Sequence, residues 1–123
     1  MNFFQRRKIL KNVNYLDLTP VRTKHHTIGS DDKVVVIIPK FTNKFIVKKI
    51  VPIMKHQDMK LNLDELGSAV WLFIDGKKKV KEIALELSQK FGDKIQPVDE
   101  RLTKFLTQLY EQRLISFNEL KGE

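Results

Sequence analysis

An α+β domain, a small antiparallel sheet followed by three helices, is the fold class this chain predicts. Three observations carry it. The first half holds β-branched runs bounded by turn residues, the second half repeats apolar residues at helical spacing, and glycine or proline marks each change of period. The 123 residues include no cysteine, are 41% hydrophobic and 31% charged, and carry a formal net charge of +8. That is the size and apolar content of one domain with one core, too hydrophobic for intrinsic disorder. Without cysteine there is no disulfide framework, thiol nucleophile, zinc ribbon or iron–sulfur site. The longest apolar runs, Val34–Ile38 and Ala69–Ile74, fall far short of the ~20 residues that span a bilayer. Met1–Arg7 has no apolar stretch behind its basic residues, so a cytoplasmic protein without a secretory signal is expected.

Along the chain, residues 1–20 read as a weakly patterned N-terminal extension closed by Thr19-Pro20, and 21–123 as a single domain. Lys33–Ile38 (KVVVII) is β-branched and stops at Pro39, a strand by propensity. Gly29-Ser30-Asp31-Asp32 is a hairpin turn, which makes Arg22–Ile28 the partner strand. Residues Phe41–Asp58 form an insert, in which Ile46, Val47, Ile50 and Val51 suit a short helix over Lys44–Val51. Met59–Leu63 alternates apolar and polar, a third strand with one buried face.

Three helices follow. Asp64–Ile74 has apolar residues at 66, 69, 70, 73 and 74, with Asp64 as N-cap and Asp75-Gly76 as terminator. Val80–Phe91 carries the stripe Val80, Ile83, Ala84, Leu87 and Phe91 and ends at Gly92. Pro97 opens a third helix reaching about Arg113, with Leu102, Phe105, Leu106 and Leu109 on its apolar face. Leu114–Phe117 is extended. About three strands and three helices in this order make a winged helix-turn-helix-like arrangement.

No catalytic constellation stands out. His25 and His26 are adjacent on a strand and point to opposite faces, and His56 is alone in a polar loop, so solvated surface histidines are the simpler reading and no metal or other cofactor is expected. Asp31-Asp32 is turn chemistry, Asp64 and Asp99 start helices, and Glu82/Glu86 form a solvated ridge. Gly76, Gly92 and Gly122 are isolated, so there is no phosphate-cradling loop. A non-enzyme is expected.

Charge separates the remaining classes. Residues 1–60 hold 13 Lys+Arg against 4 Asp+Glu, and residues 61–123 hold 10 against 11. A DNA reader needs its basic residues on the recognition helix. Here Arg101, Lys104 and Arg113 are balanced by Asp99, Glu100 and Glu111, and the first turn is acidic. Lys77-Lys78-Lys79 could touch phosphate, though a solvated turn explains it. The lysines of Lys44–Lys60 could rest on an acidic membrane, but a core-docked helix with lysines in water has the same pattern. Nucleic acid and membrane are therefore disfavoured as partners.

The stretch Leu61–Phe117 resembles the PqqD-like family, small proteins named for pyrroloquinoline quinone (PQQ) biosynthesis and also called RiPP recognition elements. The resemblance rests on Leu63-Asp64-Glu65, the small residues Gly67-Ser68-Ala69, and Trp71. Asp75-Gly76, Val80 with Glu82-Ile83-Ala84, and Leu87 follow, and Phe105-Leu106…Leu109 with Leu114-Ile115 close it. About half the chain matches in this ordered way. The resemblance implies a non-catalytic winged-helix peptide chaperone. Such a domain binds the leader of a ribosomally made precursor peptide and presents it to a modifying enzyme, in the prototype a radical-SAM enzyme. The leader adds as a β-strand to the third strand, beside the third helix. Carried onto this chain, the docking edge is Met59, Lys60, Leu61, Asn62 and Leu63, and the groove wall is Arg101, Lys104, Phe105 and Gln108. The plain alternative for Met59, Leu61, Leu63 and Phe105 is core packing. An open edge could also pair with a second copy of the chain as a homodimer. The chain departs from the family pattern in its extension, in its insert, and in Lys79 where a capping Ser/Thr is usual. A winged-helix DNA-binding protein and a protein–protein scaffold module are the competing readings. On the peptide-binding reading the basic first half steers an acidic peptide or partner; a merely soluble surface is the plain alternative.

Overall fold

Antiparallel strands and three helices pack around Trp71 and Tyr110 in the computed structural model, which describes residues 5, 10, 13–39 and 58–120. β3 (Val34–Ile38) is the centre of a three-stranded antiparallel sheet, flanked by β2 (His26–Ile28) and β4 (Met59–Asn62). The β2–β3 turn is closed by the Gly29 N–H on the Lys33 carbonyl at 2.8 Å, with the Asp31 carboxylate accepting from the Lys33 N–H at 3.1 Å. Val34 and Val36 of β3 are fully buried. The short helix expected over Lys44–Val51 lies outside the described residues.

The strand expected over Arg22–Ile28 is instead two strands in two sheets. β1 (Pro20–Arg22) leaves the hairpin and pairs with β5 (Ile115–Phe117) in a separate two-stranded sheet, in the register Pro20 with Phe117 and Arg22 with Ile115. Two bonds from Thr23 hold the bend between them. Its N–H donates to the Leu114 carbonyl at 3.0 Å and its hydroxyl to the Arg113 carbonyl at 2.8 Å. Ile115 and Phe117 are buried, while the bonds to the β1 segment come from the alternate positions: the Leu114 carbonyl accepts from the Thr23 N–H and the Asn118 N–H donates to the Thr19 carbonyl, both at 3.0 Å.

Among the elements whose bounds are described, the α-helices are α1 (Glu65–Phe73), α2 (Val80–Phe91) and α3 (Val98–Glu111). Asp64 caps α1, its carboxylate accepting from the Gly67 N–H at 2.7 Å. α2 starts firmly despite Lys79. Glu82 reaches back to the Lys79 N–H at 3.1 Å, and the Val80 N–H donates to the Leu18 carbonyl at 2.8 Å. Two of the orphan donors of the first turn are thus satisfied without a Ser/Thr cap. Gly92 ends α2 at φ +57 and ψ −126, a combination closed to side-chain-bearing residues. α3 stops at Glu111, two residues before the expected end, because Arg113 takes φ +63 and turns the chain into β5.

Two apolar stripes differ from the periodicity. In α1, Gly67–Trp71 are all buried and Leu72 is exposed, so the helix is enclosed on most sides rather than one. In α3 the buried set is Leu102, Leu106, Leu109 and Tyr110, which rotates the stripe toward Tyr110 and leaves Phe105 at the boundary. The segment before β1 is part of the packing: Leu18 and Thr19 are buried, and Tyr15 meets Phe117 edge-on at 5.7 Å. The Tyr15 hydroxyl is 3.0 Å from the Thr107 hydroxyl, and burial pushes its pKa up to about 12. Lys81 reaches Asp17 at 3.2 Å.

Candidate functional site

The outer edge of β4 and the first turn of α1 meet α3 at Gly67. In the β3–β4 ladder the Leu63 N–H donates inward to the Val34 carbonyl at 3.0 Å. Alternation then turns the backbone groups of Leu61 and Met59 toward β3 and those of Lys60 and Asn62 away from it. β4 is the last strand of its sheet, so the Lys60 and Asn62 backbone groups form an edge without a described strand beside it. Side chains follow the other alternation. Leu63 is buried, Leu61 half-buried, and Lys60 and Asn62 exposed; Met59 shares the inward parity yet is 56% exposed. The apolar face of β4 therefore sinks toward the helices at its C-terminal end.

Ser68 locks that end. Its buried hydroxyl accepts from the Val34 N–H at 2.8 Å and lies 3.4 Å from the Leu63 carbonyl, filling the rung that the two strands no longer make directly. Beside it, a β-carbon placed on Gly67 would stand 3.3 Å from Cζ of Phe105 and 3.5 Å from Cβ of Leu63. Glycine at this position is what lets the Phe105 ring approach the end of β4.

A cleft of about 170 Å³ opens there. Leu66, Gly67 and Val70 of α1 form one wall, Arg101, Leu102 and Phe105 of α3 the other, with Leu87 and Ile95 behind. Asp64 stands at this cleft, and the Arg101 guanidinium donates to the Lys94 carbonyl. The cleft is mainly apolar with one acid and one base, which suits an apolar side chain carried on a polar backbone.

Of the groove-wall residues expected on α3, Arg101 and Phe105 line this cleft. Lys104 and Gln108 line a separate groove of about 450 Å³ on another flank of the helix, shared with Tyr15 and Thr107. Leu66, Gly67, Val70 and Ser68 were not among the residues expected at the site. The small-residue run Gly67-Ser68-Ala69 was the available signal, but spacing alone does not say which neighbour each small residue admits. The other basic candidates are placed as well. The Asp75 carboxylate accepts from the N–H groups of Lys77 and Lys78, both at 2.9 Å, and these bonds hold its pKa below the usual value. Lys78 pairs with Glu86 at 3.0 Å and sits over the Phe73 ring.

Among the described residues no group of three His, Cys, Asp or Glu gathers that could hold a metal, and no helix is long and apolar enough to cross a membrane. His25 falls on the bend between the two sheets, His26 opens β2, and His56 lies outside the described residues.

Searches of curated proteins and of solved structures returned no match. A family model described as coenzyme PQQ synthesis protein D (PqqD) matches residues 53–115. That span is half of the chain and contains β4, all three helices and every residue lining the cleft, so the chain belongs to the PqqD family.

Proposed function

We propose that this chain is a non-enzymatic adaptor that binds the leader of a ribosomally made precursor peptide and presents it to a modifying enzyme, in PQQ synthesis or a related peptide pathway. The observation that carries the reading is the outward edge of Lys60 and Asn62 leading to the cleft between Gly67 and Phe105. A peptide added antiparallel or parallel to β4 gains main-chain hydrogen bonds from that edge and sets an apolar side chain in the cleft, which is how strand addition divides affinity from specificity. The family's association with PQQ synthesis supports a role beside an enzyme rather than as one. Residues 21–123 act as one domain on this reading, with the 1–20 extension and the 41–58 insert as additions to it.

Calorimetric titration with leader peptides encoded near the gene tests this. Binding tighter than ~100 μM, on the order of 5.5 kcal/mol, is expected for at least one of them. Lys60→Pro removes one outward N–H while sparing the ladder to β3, and should weaken binding at least tenfold with little loss of fold. Phe105→Ala should weaken it comparably. No binding by any neighbouring peptide, or full affinity in both variants, refutes the proposal. Dimerisation abolished by Lys60→Pro would instead assign the edge to a second copy.

A further inference from the structure

A second surface lies across the sheet from β4. Five consecutive residues, Arg22 to His26, line an open cleft of about 400 Å³ at the bend where the chain passes from β1 to β2. The bend is held in place. Thr23 is bonded twice to the chain entering β5, the His25 carbonyl accepts from the Ile37 N–H at 2.8 Å, and the His26 ring meets Trp71 edge-on at 6.2 Å. Its lining side chains are two permanent cations, two imidazoles and a hydroxyl. Among the described residues no carboxylate pairs with Arg22, Lys24, His25 or His26. Burial first, then the neighbouring Arg22 and His25, hold the His26 pKa below its ordinary value, so Arg22 and the His26 ring are near neighbours in the cleft.

We propose that this cleft is a binding site for the acidic side chains of a polypeptide partner, separate from the β4 edge. Cations that share one cleft without an acid beside them among the described residues gain most from a carboxylate brought in from outside, through charge-assisted hydrogen bonds. The lining offers no apolar wall of the kind a cofactor or drug-like molecule needs. Nucleic acid fits less well, because the cations come from one short bend and α3 holds Arg101 and Lys104 against Asp99, Glu100 and Glu111. β2 and β4 lie on opposite sides of β3, about 10 Å apart. Contacts at Arg22–His26 therefore do not use the backbone groups of the β4 edge.

The test is a titration of the full chain with hexaglutamate, followed by amide NMR shifts at residues 22–26 and by the emission of Trp71, the single tryptophan. Saturable shifts centred on the bend are expected. Arg22→Gln/Lys24→Gln should raise Kd at least fivefold, whereas the charge-matched pair Lys33→Gln/Lys77→Gln and the edge variant Lys60→Pro should change it less than twofold. Lys24→Gln alone, on irregular backbone, should show part of the loss and keeps the test valid if the Arg22 variant folds poorly. An equal loss in both charge-matched pairs means diffuse net charge and overturns the site. Displacement by inorganic phosphate at equal concentration overturns the polypeptide assignment. So does tighter binding of a short DNA duplex that the Arg22/Lys24 pair weakens.

Discussion

Ser68→Ala removes the hydroxyl that stands between α1 and the sheet, and its cost can be worked out from the geometry. In the native chain that hydroxyl accepts from the Val34 N–H at 2.8 Å, and Val34 is fully buried. Alanine leaves this N–H without an acceptor and without access to water. An unsatisfied buried donor costs about 1–3 kcal/mol. Alanine is the better helix former by roughly 0.5 kcal/mol, which offsets part of the loss. The bond to the Leu63 carbonyl is long at 3.4 Å and adds little. The net expectation is a destabilisation of about 0.5–2.5 kcal/mol, or a drop in Tm on the order of 5 °C for a chain of this size. Urea unfolding followed by Trp71 emission measures it, and an unchanged m-value keeps the comparison two-state. Amide exchange gives a local readout, since the Val34 amide should lose more protection than the rest of β3. A variant at least as stable as wild type, with the Val34 amide still protected, would refute the view that Ser68 ties β3 to α1.

Asp64→Ala deletes the α1 cap and should cost about 1 kcal/mol by thermal or urea unfolding, while Asp64→Asn should recover most of it. Arg113→Gly relieves a side-chain-bearing residue at φ +63 and should raise stability by up to about 1 kcal/mol, read as a higher urea midpoint. Glu119 is a pH-sensitive tie. Burial raises its pKa, but the Thr19 N–H at 2.6 Å and hydroxyl at 2.8 Å outweigh that and hold it below 4.5. A carboxyl with a lowered folded pKa contributes stability above its unfolded value and loses it as pH falls through the folded one. Glu119→Gln should therefore lower Tm at pH 7, with the gap closing as pH drops below about 4.5.

How legible the molecule was depends on whether a feature is local. α2 matches its expected limits because its stripe, its acidic first turn and Gly92 all lie within one run of residues. The Asp64 cap, the hairpin turn at Gly29–Asp32 and the β4 alternation were legible for the same reason. The split of Arg22–Ile28 was not, because what draws Pro20–Arg22 away is Ile115–Phe117, more than ninety residues along the chain. At the candidate site the edge residues were legible as a strand, and Phe105 as part of an apolar face. That Phe105 sits at the core's boundary and walls a cleft goes with Tyr110 taking a buried place and Gly67 making room across the helix pair.

Local chemistry, then, determined the class of this protein: the helices, the turns, the strand that ends in an edge, and the ordered residues that mark the PqqD family. It also determined that the basic excess belongs to the first half of the chain. Only the tertiary structure decided which small residue admits which neighbour, which strand leaves the sheet, and which basic residues line the bend at Arg22–His26. Those outcomes depend on backbone hydrogen bonds and packing between residues far apart in sequence, and such contacts exist only once the chain has folded.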